Sequence, residues 1–216
     1  MANDLGDILD VERSALLVID VQNDYIHEDG ALSKMGKDTA PIRAIVPNVC
    51  ELIDLARRVD VVRIFVRQTH SHWFNTSGWL TRGRGADVIA PQRVPLVEDG
   101  SWGAEFYAIE PREDELVVTK HRYSAFAYTP LELALHAKGK DTVVLCGATS
   151  DVCVEATALD AVMRGFRPIL VADCATAADP AVHASAVHDF ADHIGTVVQL
   201  ADVTAVWSPP PAVRAV

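Results

Sequence analysis

Residues 141–165 read DTVVLCGATSDVCVEATALDAVMRG. The first six are apolar and branched enough for a buried strand. Gly147, Ala148 and Thr149 break the run, and residues 151–164 then carry a helical pattern that stops at Gly165. A strand passing through a tight turn into a helix is half of a βαβ unit. The stretch therefore points to a parallel sheet with helices packed on its faces.

The alternation continues in both directions. Toward the N-terminus, ALLVIDV at 15–21 is a second apolar run, closing near Asp20. Residues 42–59 place Ile42, Ile45, Val46, Val49, Leu52, Ile53 and Ala56 at helical spacing, with Pro41 or Pro47 in the first turn. Strands are predicted at 61–66 and 115–119, the second ending at Lys120, and a helix at 129–138 with Thr129 as N-cap and Pro130 at its first position. Toward the C-terminus come a strand at 168–172, a helix opened by Asp179-Pro180 and ending near Gly195, and a strand at 196–200. The tail WSPPPAVRAV is expected to be loose. Residues 68–113 hold Trp73, Trp79, Trp102 and several glycines with no sustained period, which suggests a long functional loop region. No repeat or linker divides the chain. One α/β domain over 1–216 is expected, with an ordered core of about 12–207.

Composition narrows the function. Half of the 216 residues are hydrophobic, enough for a large core. The formal net charge of −11 argues against nucleic acid as a partner. No stretch approaches the roughly 20 apolar residues of a membrane helix. The N-terminus, MANDLGDILDVERS, lacks the basic start and apolar run of a signal peptide. A cytoplasmic enzyme acting on a small molecule is the expectation. The four cysteines, Cys50, Cys146, Cys153 and Cys174, show no zinc spacing and are expected to be free thiols.

Asp20, Lys120 and the GATSDVC segment all fall at the carboxyl ends of predicted strands, where open α/β sheets bind their ligands. Cys153 lies in the first turn of the following helix. The helix dipole and a nearby lysine would lower its thiol pKa. Asp20 would take the thiol proton, and Lys120 would hold both groups charged. Backbone N–H groups of the same turn would cradle an oxyanion. The chemistry this suggests is acyl transfer through a thioester. Cys174, after a strand end, is the thiol expected to compete for labelling reagents, whereas Cys146 in a strand and Cys50 on a helix are expected to be shielded.

Three motifs, LLVIDVQNDY at 16–25, VVTKHRYSAF at 117–126 and GATSDVCVEAT at 147–157, resemble those of the isochorismatase-like hydrolases, over roughly residues 12–207. The resemblance implies a six-stranded parallel sheet in a three-layer αβα sandwich and a homo-oligomer. It implies a triad of Asp20, Lys120 and Cys153, a cis peptide at Ala148–Thr149, and an oxyanion hole from the Thr149 and Cys153 N–H groups. A cysteine at 153 points to the amidase branch, and Lys120-x-Arg122-Tyr123-Ser124-x-Phe126 is closest to the ureidoacrylate type. The implied activity is a cysteine-dependent amidohydrolase cleaving the C–N bond of an amide, ureide or carbamoyl group. The alternatives are a thiol-independent vinyl-ether hydrolase and a catalytically silent binding module on the same scaffold.

Nicotinamidases of this family bind a metal through an aspartate and histidines. Gln68 stands where that aspartate would be, ahead of His70 and His72. A neutral amide is a poor ligand for a divalent cation, so no metal and no cofactor are expected. Tyr25, Asn23, Trp73, Trp79, Tyr123 and Phe126 are the candidate pocket residues, with Gln22 and Trp102 beside them. Arg82, Arg84 and Arg93 are candidates to receive a substrate carboxylate.

Overall fold

In the computed structural model, residues 4–81 and 96–208 are described. The six predicted strands form: β1 Ser14–Ile19, β2 Val62–Gln68, β3 Leu116–Lys120, β4 Thr142–Ala148, β5 Arg167–Thr176 and β6 Thr196–Val198. All pair in parallel in the order β3-β2-β1-β4-β5-β6. The order reverses between β1 and β4, which makes the crevice above their carboxyl ends the switch point.

Five helices of seven or more residues cover the sheet among the described residues: α1 Val46–Arg58, α2 Leu131–Ala137, α3 Glu155–Met163, α4 Pro180–His193 and α5 Leu200–Trp207. Side chains alternate across each strand, so β1 feeds two cores. Leu16 and Val18 join Val49, Leu52, Ile53, Val203 and Trp207 on the face covered by α1 and α5. Ala15, Leu17 and Ile19 join Leu131, Leu135, Ala158, Ala161 and Phe190 on the face covered by α2, α3 and α4. The result is the αβα sandwich.

The structure corrects the sequence reading at three places. The helix expected at 42–59 is broken at Ile45 into Ala40–Ala44 and α1, each with a proline in its first turn. Pro47 has no N–H to continue a single helix, so the chain restarts. The α2 helix begins one residue later than expected: Pro130 is the N-cap, and Thr129 Oγ1 accepts from the Leu131 N–H at 3.3 Å. The chain end is the largest correction. Gln199 and Asp202 form a capping box that opens α5, a helix the sequence pattern did not suggest. Trp207, placed in the loose tail by sequence, is 1% exposed, and its Nε1 donates to the Leu9 carbonyl at 2.7 Å. An indole so large stabilises whatever it is buried against. The rest of the tail, 209–216, lies outside the described residues.

Residues 69–115 are irregular where described. They contain the short helix Ser77–Thr81 and a 3₁₀ turn at Trp102–Ala104.

Candidate active site

Asp20 immediately follows β1, with φ of 51°. This left-handed conformation is uncommon outside glycine, asparagine and aspartate, and it turns the chain sharply at the sheet edge. The adjacent β4 strand comes close through Gly147, the register partner of Ile19. Gly147 has φ of 110°, and a Cβ there would overlap the Ile19 carbonyl oxygen. Glycine is therefore required where the two strands carrying Asp20 and Cys153 end.

Lys120 is the last residue of β3, two strands from β1, a distance of about 10 Å. Its side chain crosses the end of β2 and is fully buried. Lys120 Nζ lies 2.7 Å from Asp20 Oδ2, 3.0 Å from Gln68 Oε1, 3.2 Å from the Arg122 carbonyl and 3.3 Å from Cys153 Sγ. Asp20, Lys120 and Cys153, remote in sequence, thus meet at one point. The Ala148–Thr149 peptide bond leading into this turn is cis.

Cys153 is not in the first turn of an α-helix. It lies in a π-helical turn, Ser150–Val154, that precedes α3, with the Thr149 carbonyl accepting from the Val152 and Val154 N–H groups. Such wide turns gather at functional sites.

The electrostatics correct another expectation. Burial pushes the Cys153 thiol up, and the Asp20 charge adds to this, against the pull of Lys120. A dry pocket disfavours the thiolate more than one ammonium favours it. Cys153 therefore rests as a thiol, 6% exposed. Burial also raises the Asp20 carboxyl, with Lys120 opposing. Burial works against the Lys120 charge, but Asp20 and Cys153 more than offset it, so Lys120 is raised and stays charged. Neither Asp20 oxygen has a well-formed hydrogen bond among the described residues, which leaves the carboxylate with capacity to accept a proton.

The other thiols are distinct. Cys146 and Cys174 are fully buried and pushed up by burial. Cys174, expected near a strand end, lies inside a β5 strand longer than predicted. Cys50, expected to be shielded, is partly exposed and is the accessible control instead.

Around the Asp20–Lys120–Cys153 cluster, Gln22 is a clamp: its amide accepts from the Gln68 N–H at 2.8 Å and donates to the Gln68 and Ala104 carbonyls. Asn23 donates to the Trp102 carbonyl at 2.8 Å, tying a loop rather than facing an open pocket. Tyr25 packs against the core on the α1 side. Trp79 and Tyr123 do come together, with ring centroids 4.7 Å apart, and the Arg122 guanidinium lies 5.0 Å from the Trp79 ring. Trp73 is 79% exposed, against His72. Phe126 is taken into the core on the α2 side, 5.6 Å from Phe166, because its place after the 121–125 turn points it under α2. Trp73 and Phe126 are thus not brought into a common wall with Trp79. Arg82, Arg84 and Arg93 lie outside the described residues.

Gln68, weighed from sequence only as a stand-in for a metal-binding aspartate, turns out to contact Lys120. It is the register partner of Lys120, and that pairing was the available signal. Its Nε2 faces His70 Nε2 at 3.2 Å. A neutral amide beside the imidazole is a poor partner for a cation at that position. Among the described residues, no group of three or more His, Cys, Asp or Glu is arranged to hold a metal. No helix there is long and apolar enough to cross a membrane.

A parallel 3-2-1-4-5-6 sheet with a buried Asp–Lys–Cys cluster at its switch point defines an open α/β protein with polar groups gathered where such sheets bind ligands. The sequence pattern of the isochorismatase domain matches residues 14–202. Maleamate amidohydrolase of Pseudomonas putida is 32% identical over 192 residues, 88% of this chain and 84% of that protein. Ureidoacrylate amidohydrolase RutB of Methylobacterium radiotolerans is 28% identical over 207 residues, 89% and 79% of the two chains. The crystal structure of N-carbamoylsarcosine amidase from Thermoplasma acidophilum superposes with a TM-score of 0.71 at 30% identity, covering 87% of this chain and 96% of that one. The chain belongs to the isochorismatase family and is a hydrolase acting on C–N bonds, on the amidohydrolase side of that family.

Proposed function

We propose that the protein is a cysteine-dependent amidohydrolase that cleaves an amide, ureide or carbamoyl C–N bond of a small molecule through a thioester. The observation that carries this is the placement of Lys120 Nζ, 2.7 Å from Asp20 and 3.3 Å from Cys153 Sγ, in a fully buried cluster. Asp20 takes the thiol proton as sulfur attacks the carbonyl carbon, so the thiolate exists only as the bond forms. The Thr149 and Cys153 N–H groups receive the oxyanion. The tetrahedral adduct collapses with loss of the amine or ammonia, which leaves with the proton from Asp20. Asp20 then activates water, which cleaves the thioester and regenerates the thiol. Lys120 stays protonated throughout and offsets the charge that moves between Asp20 and sulfur.

Trp79 and Tyr123 form the aromatic side of the substrate pocket. The working unit is a single domain in a homo-oligomer. The amidohydrolase relatives support the reaction class. The test is an ammonia-release screen over amides, ureides and carbamoyl amino acids, with Cys153→Ala alongside. Activity lost in that variant is the expected result. Activity that survives would replace the thioester route with a thiol-independent one.

A further inference from the structure

An ammonium has three N–H donors. Lys120 has four neighbours, and three of them are oxygens: Asp20 Oδ2, Gln68 Oε1 and the Arg122 carbonyl. Cys153 Sγ, at 3.3 Å, is the fourth and longest contact, so four groups share three N–H donors. A thiolate at Cys153 would need a fuller share of them. The Asp20 contact is the shortest and is charged. The Arg122 carbonyl is fixed by the backbone. The Gln68 carbonyl is the neutral side-chain acceptor, and it also lies 3.5 Å from Sγ, within reach of the thiol proton.

The direction of the Gln68 amide follows from its neighbours. Lys120 only donates, so the atom facing it is the oxygen. The Gln68 Nε2 then faces His70 Nε2 at 3.2 Å. His70 Nδ1 accepts from Trp79 Nε1 at 3.4 Å and lies 3.2 Å from Asn75 Oδ1. The Gln68 backbone is clamped by Gln22, and the side chain is buried. Turning the amide over would set its N–H₂ against the ammonium, so Lys120 holds Gln68 in one orientation.

We propose that Gln68 is a positioning residue for Lys120: its carbonyl competes with Cys153 Sγ for the ammonium N–H donors in the resting enzyme, favouring the thiol, and gives way to sulfur as the thiol proton passes to Asp20. The proposal rests on the Cys153–Asp20–Lys120 reading of the site. Two substitutions of equal chain length move the thiol in opposite directions. Gln68→Met removes the competing acceptor, gives sulfur a fuller share of the ammonium N–H at rest, and favours the thiolate. Gln68→Glu keeps an acceptor but adds negative charge beside sulfur, and disfavours it.

The experiment is the pH dependence of iodoacetamide alkylation of Cys153, mapped by mass, in the full-length wild type and both variants. Thermal unfolding serves as the folding check. The Gln68→Met midpoint is expected to fall by about one pH unit and the Gln68→Glu midpoint to rise. On a substrate from the ammonia screen, Gln68→Met is expected to lower kcat about three- to tenfold with KM little changed. A thiolate of lower pKa is a weaker nucleophile, and Lys120 is less well aimed. A merely structural role would move both midpoints together or neither, and either result overturns the proposal. If one variant fails to fold, the sign of the shift in the other decides. Alkylation judges Gln68 whatever the turnover, whereas turnover in Cys153→Ala judges the triad, so the two readings fail separately.

Discussion

The β3 strand carries a buried ion pair at each end, and the two are built differently. Before its first residue, Glu115 accepts from Arg57 Nε and Arg63 Nε at Oε1, and from Arg57 Nη2 and the Arg112 N–H at Oε2, all between 2.8 and 2.9 Å. At its last residue, Lys120 meets Asp20, whose oxygens lack well-formed hydrogen bonds. Burial works against both carboxylates. At Glu115 the hydrogen bonds from Arg57, Arg112 and Arg63 win, and its pKa is lowered to about 2. At Asp20 burial wins, and the carboxyl is raised. A saturated carboxylate is a staple that holds α1, β2 and β3 together. An under-saturated one in the same strand layer is poised to take a proton. Counting partners, rather than counting salt bridges, separates structure from chemistry here.

Asp20→Asn tests that contrast most severely. The amide cannot shuttle a proton, so turnover is expected to fall by about 10²–10⁴-fold, while the melting temperature moves less than in any Glu115 variant. Steady-state ammonia release and a thermal melt on the same preparation check it. A large loss of stability with turnover preserved would invert the comparison.

Glu115→Ala is expected to do the reverse. It leaves Arg57 and Arg63 without their shared buried partner, at a cost of about 3–5 kcal/mol. For a domain of this size that is roughly a 10 °C fall in Tm, with kcat of the folded enzyme nearly unchanged. Urea titration with activity measured below the transition gives both numbers.

The two ends also differ in sign with pH. The folded pKa of Glu115 is below its unfolded value, so its stabilisation is present above about pH 4.5 and is lost as pH falls toward 2. The raised Asp20 works the other way: it favours the fold at low pH and loses that contribution as pH rises through its elevated pKa. Stability measured from pH 6 down to 3 should fall less steeply in Glu115→Gln than in the wild type. An unchanged slope would mean that other carboxylates govern acid unfolding.

A solvent-exposed carboxylate sets the lower bound of the series. Asp179 caps α4 by accepting from the Ala181 N–H at 2.8 Å. Asp179→Ala should cost only about 1 kcal/mol and leave turnover alone. A loss as large as that of Glu115→Ala would show that burial is not what sets the scale.

Much of this protein can be read in local order. Period-2 and period-3.6 patterns, with glycine and proline as punctuation, place all six strands and four of the five longer helices among the described residues. Three motifs at strand ends, taken with the family resemblance, single out Asp20, Lys120 and Cys153 before any coordinate is known. Such features depend on neighbours a few residues away, which a linear sequence displays directly. Other features depend on what surrounds a group in space. The Cys153 thiol is raised rather than lowered because the pocket is dry, a fact that no spacing records. Phe126 belongs to the core and Trp207 is buried against Leu9 because of surfaces contributed by distant segments. Gln68 meets Lys120 because β2 and β3 end in register, 52 residues apart. Desolvation and hydrogen-bond saturation are sums over all packed neighbours, and only the folded chain brings those neighbours together.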